Sequence, residues 1–295
     1  MSLGPIVNLK NYDIVLTTSF EFKFGITGHL FEMIDYYYAI KQYTNLTPCL
    51  LLADGTTKEE LQKALNSKYE NLVVENVIEH VCPKVILANS ILITDGSHRL
   101  NNCEILAKRI YLFRCSESDF KPFTKFNSSV FLLQDFEIYN ERYEDLPITV
   151  IDYKKKILFE KYKRFNGPTN NVAMFYLTSL CRALSQEELD KSISTYKFDD
   201  YIVITDDISR YSGKNVYQIP VDNLWDKFDT YIYTSIPRKQ DCSSRFILEC
   251  LYYGKKVFYN IDYYDRALEV RKKDGLTGTI LNIDDNFLKL LNEQN

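Results

Sequence analysis

The sequence predicts an α/β protein made of two doubly wound parallel-sheet domains facing across a cleft. Three observations predict it. The chain has 295 residues, which at roughly 100–200 residues per domain suggests two domains. Apolar runs of strand length alternate with segments of helical periodicity, the pattern of β-α-β units with parallel strands. The alternation then restarts after a turn cluster, Gly167-Pro168 followed by Thr169, Asn170 and Asn171. We therefore place the boundary near 150–170, with residues 1–165 as the first domain and 166–295 as the second. The closing helix is free to pack back on the first domain.

In the first half, Asp13–Ser19 reads as a buried strand, followed by a Gly-containing loop and a helix over Leu30–Tyr43. Leu46–Ala53 is the next strand. Thr57–Leu65 is a helix, with Glu59 and Glu60 suited to its first turn. Asn71–Val74, Lys84–Ala88, Ile91–Thr94, Arg109–Phe113 and Ser129–Gln134 read as further strands. In the second half, strands are expected at Val172–Thr178, Tyr201–Thr205, Asn215–Val221, Thr230–Ser235 and Lys256–Asn260. Helices are expected at Ser185–Tyr196, Ser243–Tyr253, Asp262–Lys273 and Asp284–Asn292.

Composition narrows the class. Hydrophobic residues make up 45% and charged residues 26%, enough apolar material for a core. The 23 Tyr and 18 Phe suit strands as well as sugar- or base-binding surfaces, so they place no site. A net charge of −4 excludes a strongly basic nucleic-acid-binding domain. It leaves room for one local patch, Lys154, Lys155, Lys156, Lys161, Lys163 and Arg164, which reads as a solvated face or as a grip on phosphates. The seven cysteines contain no C-x-x-C pair, which excludes the common zinc signatures and a disulfide framework. Cys49 and Cys250 sit in apolar runs, as reduced thiols do. No signal peptide is read at the start, and no apolar run approaches the roughly 20 residues that span a bilayer. A cytoplasmic protein without a membrane span is expected.

The most informative segment runs from Asp241 to Val257, DCSSRFILECLYYGKKV. Ser243 and Ser244 can cap a helix. Arg245 and Glu249 lie four apart and so share one face of it, and Gly254 ends it before a strand begins. A helix start offers free N–H groups and partial positive charge, which suit a diphosphate. Ser243, Ser244 and Arg245 would add hydroxyls and a guanidinium, and Glu249 could accept both ribose hydroxyls. The same spacing also fits a plain i, i+4 ion pair on a surface helix.

This segment resembles the acidic-x7-acidic motif of GT-B glycosyltransferases, in which the second acidic residue is followed by four residues, Gly, two residues and Val. Glu249, Gly254 and Val257 match; Asp241 stands where the family often has Glu, and Ser243-Ser244-Arg245 replaces a Gly-rich stretch. The resemblance implies two Rossmann-like domains, the second holding a nucleotide-sugar donor (UDP-sugar favoured) and the first an acceptor. It implies donor contacts from Thr178, Ser179 and Arg182, in the loop after the first strand of the second domain, and from the turn at Ile219. Ile219 is also a natural core residue.

In the first domain, Gly25 and Gly28 would let the backbone approach a ligand, and His29 would face the cleft. The spacing is not the dinucleotide-binding G-x-G-x-x-G. Asp95, ending a strand and followed by Gly96, Ser97 and His98, is the leading candidate for the base that deprotonates the acceptor hydroxyl, with His29 beside it and His98 as a weaker substitute. No D-x-D follows a strand of the first domain, so no metal and no cofactor beyond the donor substrate is expected. Helix dipoles and basic side chains would stabilise the leaving diphosphate. The acceptor stays open between hydroxymethylated bases of DNA, as in the glycosyltransferases of tailed phages, and a glycan, lipid-linked or small-molecule hydroxyl. Were the chain phage-encoded, its compartment would be the host cytoplasm. A nucleotide-sugar epimerase or hydrolase on the same fold and a non-catalytic nucleotide-binding protein are the alternatives.

Overall fold

The computed structural model describes residues 7–17, 28–52, 56–79, 85–86, 90–94, 107–113, 128–134, 148–165, 171–177, 184–213, 215–219, 221, 223–233, 245–259 and 281–293. The chain divides into two compact units. The first comprises Met1–Tyr162 together with Thr277–Asn295, and the second Lys163–Leu276. Each is an α/β, Rossmann-like unit on a parallel sheet, of seven and five strands respectively.

In the first unit the elements run β1 (Val7–Asn8), β2 (Ile14–Thr17), α1 (Gly28–Tyr43), β3 (Pro48–Leu52), α2 (Lys58–Lys68), β4 (Val77–Glu79), β5 (Val85–Ile86), β6 (Ile91–Thr94), β7 (Arg109–Phe113), β8 (Ser129–Gln134) and β9 (Thr149–Asp152). The main sheet has the order β4-β3-β2-β6-β7-β8-β9, and β1 pairs with β5 beside it. All six pairings of the main sheet are parallel, so every strand ends at the same edge. The order reverses between β2 and β6, which makes that point the switch point where open α/β sheets bind ligands.

Alternation along the strands divides the core between two faces. One face carries Val15, Cys49, Leu51, Leu92, Ile110, Leu112, Val130 and Leu132. The other carries Tyr111, Phe113 and Phe131, whose rings meet those of Tyr36 on α1, Tyr153 after β9 and Phe287. Phe287 belongs to α5 (Asn286–Glu293), whose apolar face buries Phe287, Leu288 and Leu291, and which packs on α1. Asp285 starts that helix by accepting the N–H groups of Phe287 and Leu288 at 3.0 and 3.1 Å. Helix α1 buries ten of its 16 residues, Glu32 and Asp35 among them. A helix apolar on nearly all sides belongs inside a protein.

The second unit runs β10 (Val172–Leu177), α3 (Gln186–Thr195), β11 (Asp200–Thr205), β12 (Val216–Gln218), β13 (Thr230–Tyr233), α4 (Arg245–Tyr252) and β14 (Lys256–Tyr259). The order is β12-β11-β10-β13-β14, again all parallel, and the switch point falls between β10 and β13. Leu189 of α3 packs on the face of Ala173, Phe175, Val203 and Ile232. Ile247 and Cys250 of α4 pack on the face of Met174, Ile202, Tyr231 and Tyr233. Helices α2 and α3 both start with a full capping box, Thr57 with Glu60 and Ser185 with Glu188.

Three strands differ from the sequence expectation. Asn71–Val74 forms no strand: Asn71 takes φ 50°, Val73 is 58% exposed, and the strand forms instead at Val77–Glu79. The apolar triplet Leu72-Val73-Val74 follows a left-handed turn, which breaks the pairing that a strand needs. β9 is not among the expected strands: its apolar stretch, Ile148–Ile151, is short and follows Pro147, and the strand is half-exposed at the sheet edge. β1 was missed because it is two residues long. The helix expected at Asp262–Lys273 lies outside the described residues. Among the described residues no helix is long and apolar enough to cross a membrane.

Burial pushes the Cys49 thiol from an ordinary 9.0 up to about 12 and the phenols of Tyr36 and Tyr153 well above 10.0. Each of these groups keeps its proton in the folded state at a pH where the unfolded chain has released it. The unfolded chain then binds fewer protons, so stability falls as pH rises. The contribution is intact below pH 9 and lost as the pH rises towards about 12. Urea-unfolding midpoints should drop steadily between about pH 8 and about pH 10.5, and Cys49→Ala should flatten the first part of that drop. A midpoint that is flat across this range would show the thiol and phenols to be solvated.

Candidate functional site

In the second unit the site is built at the β10–β13 switch point. Helix α4 follows β13, and its second residue, Phe246, stacks on Tyr176 near the end of β10, with ring centroids 5.4 Å apart and planes 26° apart. Phe246 also stacks on Trp225 at 5.1 Å and 21°. It meets Tyr231 and Phe228 as well, at the start of β13, so these rings pin the leading turn of α4 to the sheet face beside β10 and β13. The helix closes in a Schellman arrangement: Lys255 N–H donates to Cys250 O at 2.8 Å, and Gly254 N–H to Leu251 O at 3.1 Å. Gly254 sits at φ 68°, a conformation that costs little without a Cβ. β14 then begins, with Val257 opposite Tyr231.

Arg245 opens α4 and Glu249 lies one turn on. The Arg245 Nε donates to Glu249 Oε1 at 2.7 Å, and the two side chains are 4% and 2% exposed. The i, i+4 ion pair allowed by the spacing is therefore present, and it is buried rather than on a surface. Desolvation makes such a pair costly to assemble and costlier to break. Any chemistry at this end of α4 has to work with Arg245 and Glu249 as a coupled unit.

Of the other donor-side candidates, Ile219 is half-buried against the core of the α4 face, and its N–H donates to Thr205 O at 3.0 Å. It is placed as a core residue at the end of β12. Thr178, Ser179, Arg182, Ser243 and Ser244 lie outside the described residues.

In the first unit, Gly28 and His29 are the first two residues of α1, both half-buried. Tyr36 of α1 meets the ring of Phe113, the last residue of β7, at 5.3 Å. His29 is seven residues earlier, so α1 carries it about 10 Å toward and beyond the strand ends. Gly25, Asp95 and His98 lie outside the described residues. Lys155, read from the sequence as part of a solvated basic run, instead points inward: it is buried and paired with Glu32 at 3.3 Å.

Sequence reasoning missed the hydroxyls at the first unit's switch point. Thr17 and Thr94 end β2 and β6 and are register partners. Both are buried, and they share the face of Val15 and Leu92 by the two-residue period of a strand. Thr17 Oγ1 donates to Leu51 O at 3.0 Å, whereas Thr94 Oγ1 has no hydrogen-bond partner among the described residues. A polar residue closing an apolar strand beside a reversal in strand order was the available signal, but strand order is not readable from one sequence.

The chain matches no protein-family model and no curated protein.

Arg245→Ala should cost about 3–5 kcal/mol by breaking a buried ion pair, while Arg245→Met with Glu249→Leu should cost far less. Equal losses in chemical denaturation would show the pair to be solvated. Thr94→Val should raise stability by about 1 kcal/mol, because it removes an unpaired buried hydroxyl. A loss of stability would show that the hydroxyl is satisfied.

Proposed function

We propose that this chain is a metal-independent glycosyltransferase of the GT-B type, moving a sugar from a nucleoside-diphosphate sugar, with a UDP-sugar favoured, to an acceptor hydroxyl. The observation that carries the reading is the segment from α4 to β14. It combines a helix whose leading turn is held at a switch point by aromatic stacking, an acidic residue one turn in, a left-handed Gly254 and a parallel strand through Val257. This is the order of parts in the motif that Glu249, Gly254 and Val257 resemble.

On this reading the second unit binds the donor. The leading end of α4 receives the diphosphate, with Ser243, Ser244 and Arg245 supplying donors. The buried pair adds a refinement: Glu249 holds the Arg245 guanidinium in one orientation, so the positive charge that meets the leaving diphosphate needs no reorganisation as charge develops. Thr178, Ser179 and Arg182 complete the donor side, and backbone groups near Ile219 meet the base. The first unit binds the acceptor, whose hydroxyl loses its proton to Asp95 or His29 as it attacks the anomeric carbon, while the glycosidic bond to the diphosphate breaks.

A thermal-shift panel tests the donor. UDP and a UDP-sugar should raise the melting temperature, by an amount equivalent to about 2.7 kcal/mol at a hundred times the dissociation constant, and NAD should not. Glu249→Ala should abolish the shift, and Glu249→Gln should weaken it. No response to any nucleotide diphosphate would overturn the reading. Acceptors are then separated by incubating the donor with hydroxymethylated DNA, glycans or small alcohols and analysing products. Free sugar released at the same rate with and without acceptor would mark a hydrolase.

A further inference from the structure

Helix α1 buries Glu32 beside the aromatic cluster of Tyr36, Tyr153 and Phe287. Glu32 Oε2 stands 3.3 Å from Lys155 Nζ, with 1% and 6% of the side chains exposed. Around the pair the hydrogen bonds form a chain. The Tyr36 hydroxyl donates to the Tyr153 hydroxyl at 2.7 Å, which donates in turn toward Glu32 Oε1 at 3.5 Å. The Lys156 N–H also donates to the Tyr153 oxygen, at 3.4 Å. Asp285, the cap of α5, bears on both phenols electrostatically. The network ties together three pieces that are distant in sequence: α1, the segment after β9, and the start of α5.

An apolar filling would serve the core at least as well, because a buried ion pair seldom returns its desolvation cost. What the pair supplies is direction. Tyr36 is packed level with the strand ends by its contact with Phe113, and the turn before it runs out beyond the sheet. Glu32 lies in that turn, three residues after His29 and therefore on a neighbouring part of the same helix face. Its ion pair with Lys155 ties that turn to the segment after β9, next to the packing of Phe31 against Tyr69.

We propose that the Glu32–Lys155 pair, braced by Tyr153 and Tyr36, is a positioning device that sets the placement and electrostatic surroundings of the His29 imidazole. Its part in turnover rests on the acceptor-side role proposed above for His29; its part in placing the imidazole does not. Neither Glu32 nor Lys155 touches substrate in this account. Both act through His29.

The test uses the full chain with the double substitution E32L/K155M, the conservative variant K155R, and NMR of the imidazole Cε1–H signals. The chain has three histidines, and loss of one signal in H29Q assigns His29. The double variant should remain folded, with a melting temperature near or above that of the unsubstituted protein. Its His29 signal should move and titrate with a pKa altered by about half a unit or more, while K155R keeps the original titration. Transfer activity, measured with the donor found by thermal shift, should fall in kcat on the order of tenfold or more with donor KM unchanged. A folded double variant whose His29 signal and titration coincide with those of the unsubstituted chain overturns the proposal. If the double variant fails to fold, E32Q is read by the same signal, with the same two outcomes. A chain with no transferase activity but a displaced His29 overturns the proposed function and leaves the positioning role standing.

Discussion

Parallel pairing governs this molecule. A strand that must run parallel to its neighbour has to be reached by a crossover, and crossovers cover the sheet on both faces and leave all strand ends at one edge. In the first unit this collects Thr17, Thr94 and Gln134 at that edge, and α1 leaves from the same place. In the second unit it brings the end of β10 and the start of α4 together, through Tyr176 and Phe246. The candidate sites therefore follow from topology first and from side-chain identity second.

The polar groups kept inside these units are arranged in chains of contact. Arg245 with Glu249, and Glu32 with Lys155, are both buried pairs, the first within α4 and the second joining α1 to the segment after β9. Such a pair contributes little net stability in comparison with apolar residues of the same volume. Its geometric demand is strict, however, since each charge becomes very unfavourable once its partner moves away. The Glu32–Lys155 pair ties the leading turns of α1 to the segment after β9, whereas Arg245 and Glu249 brace each other within one helix. Aromatic contacts carry the rest: Phe287 meets Tyr36, Tyr111, Phe113 and Tyr153, so residues from the end of the chain complete the core of the first unit.

Much of the fold was legible because its signals are local. Val172–Leu177 and Asp200–Thr205 are apolar runs bounded by polar turns, and they form strands close to the expected limits. Thr57 with Glu60 and Ser185 with Glu188 mark helix starts that the structure forms as capping boxes. The stop at Gly254 follows from its lack of a Cβ. The failures are also local in origin. Leu72-Val73-Val74 has strand composition but sits behind a left-handed Asn71, and β9, though β-branched throughout Ile148–Ile151, is short and gains its place by pairing with Phe131 and Leu133 of β8. At the candidate sites, the four-residue spacing of Arg245 and Glu249 allowed both a ligand role and an ion pair, and sequence could not show that the pair is buried. The inward turn of Lys155 was hidden inside a run of lysines that looked uniformly solvated.

The alternation of strands and helices, the helix caps, the restart near residue 170 and the segment from Arg245 to Val257 are set by local signals, because hydrophobic period, capping chemistry and glycine conformation act over a few residues. The strand order, the assignment of residues 277–295 to the first unit, the adjacency of Thr17 and Thr94 and the partnership of Glu32 with Lys155 emerge only once the chain is folded. Those depend on which distant segments share a sheet edge or a helix face, and the free energy that selects among them comes from burial and pairing across the whole unit.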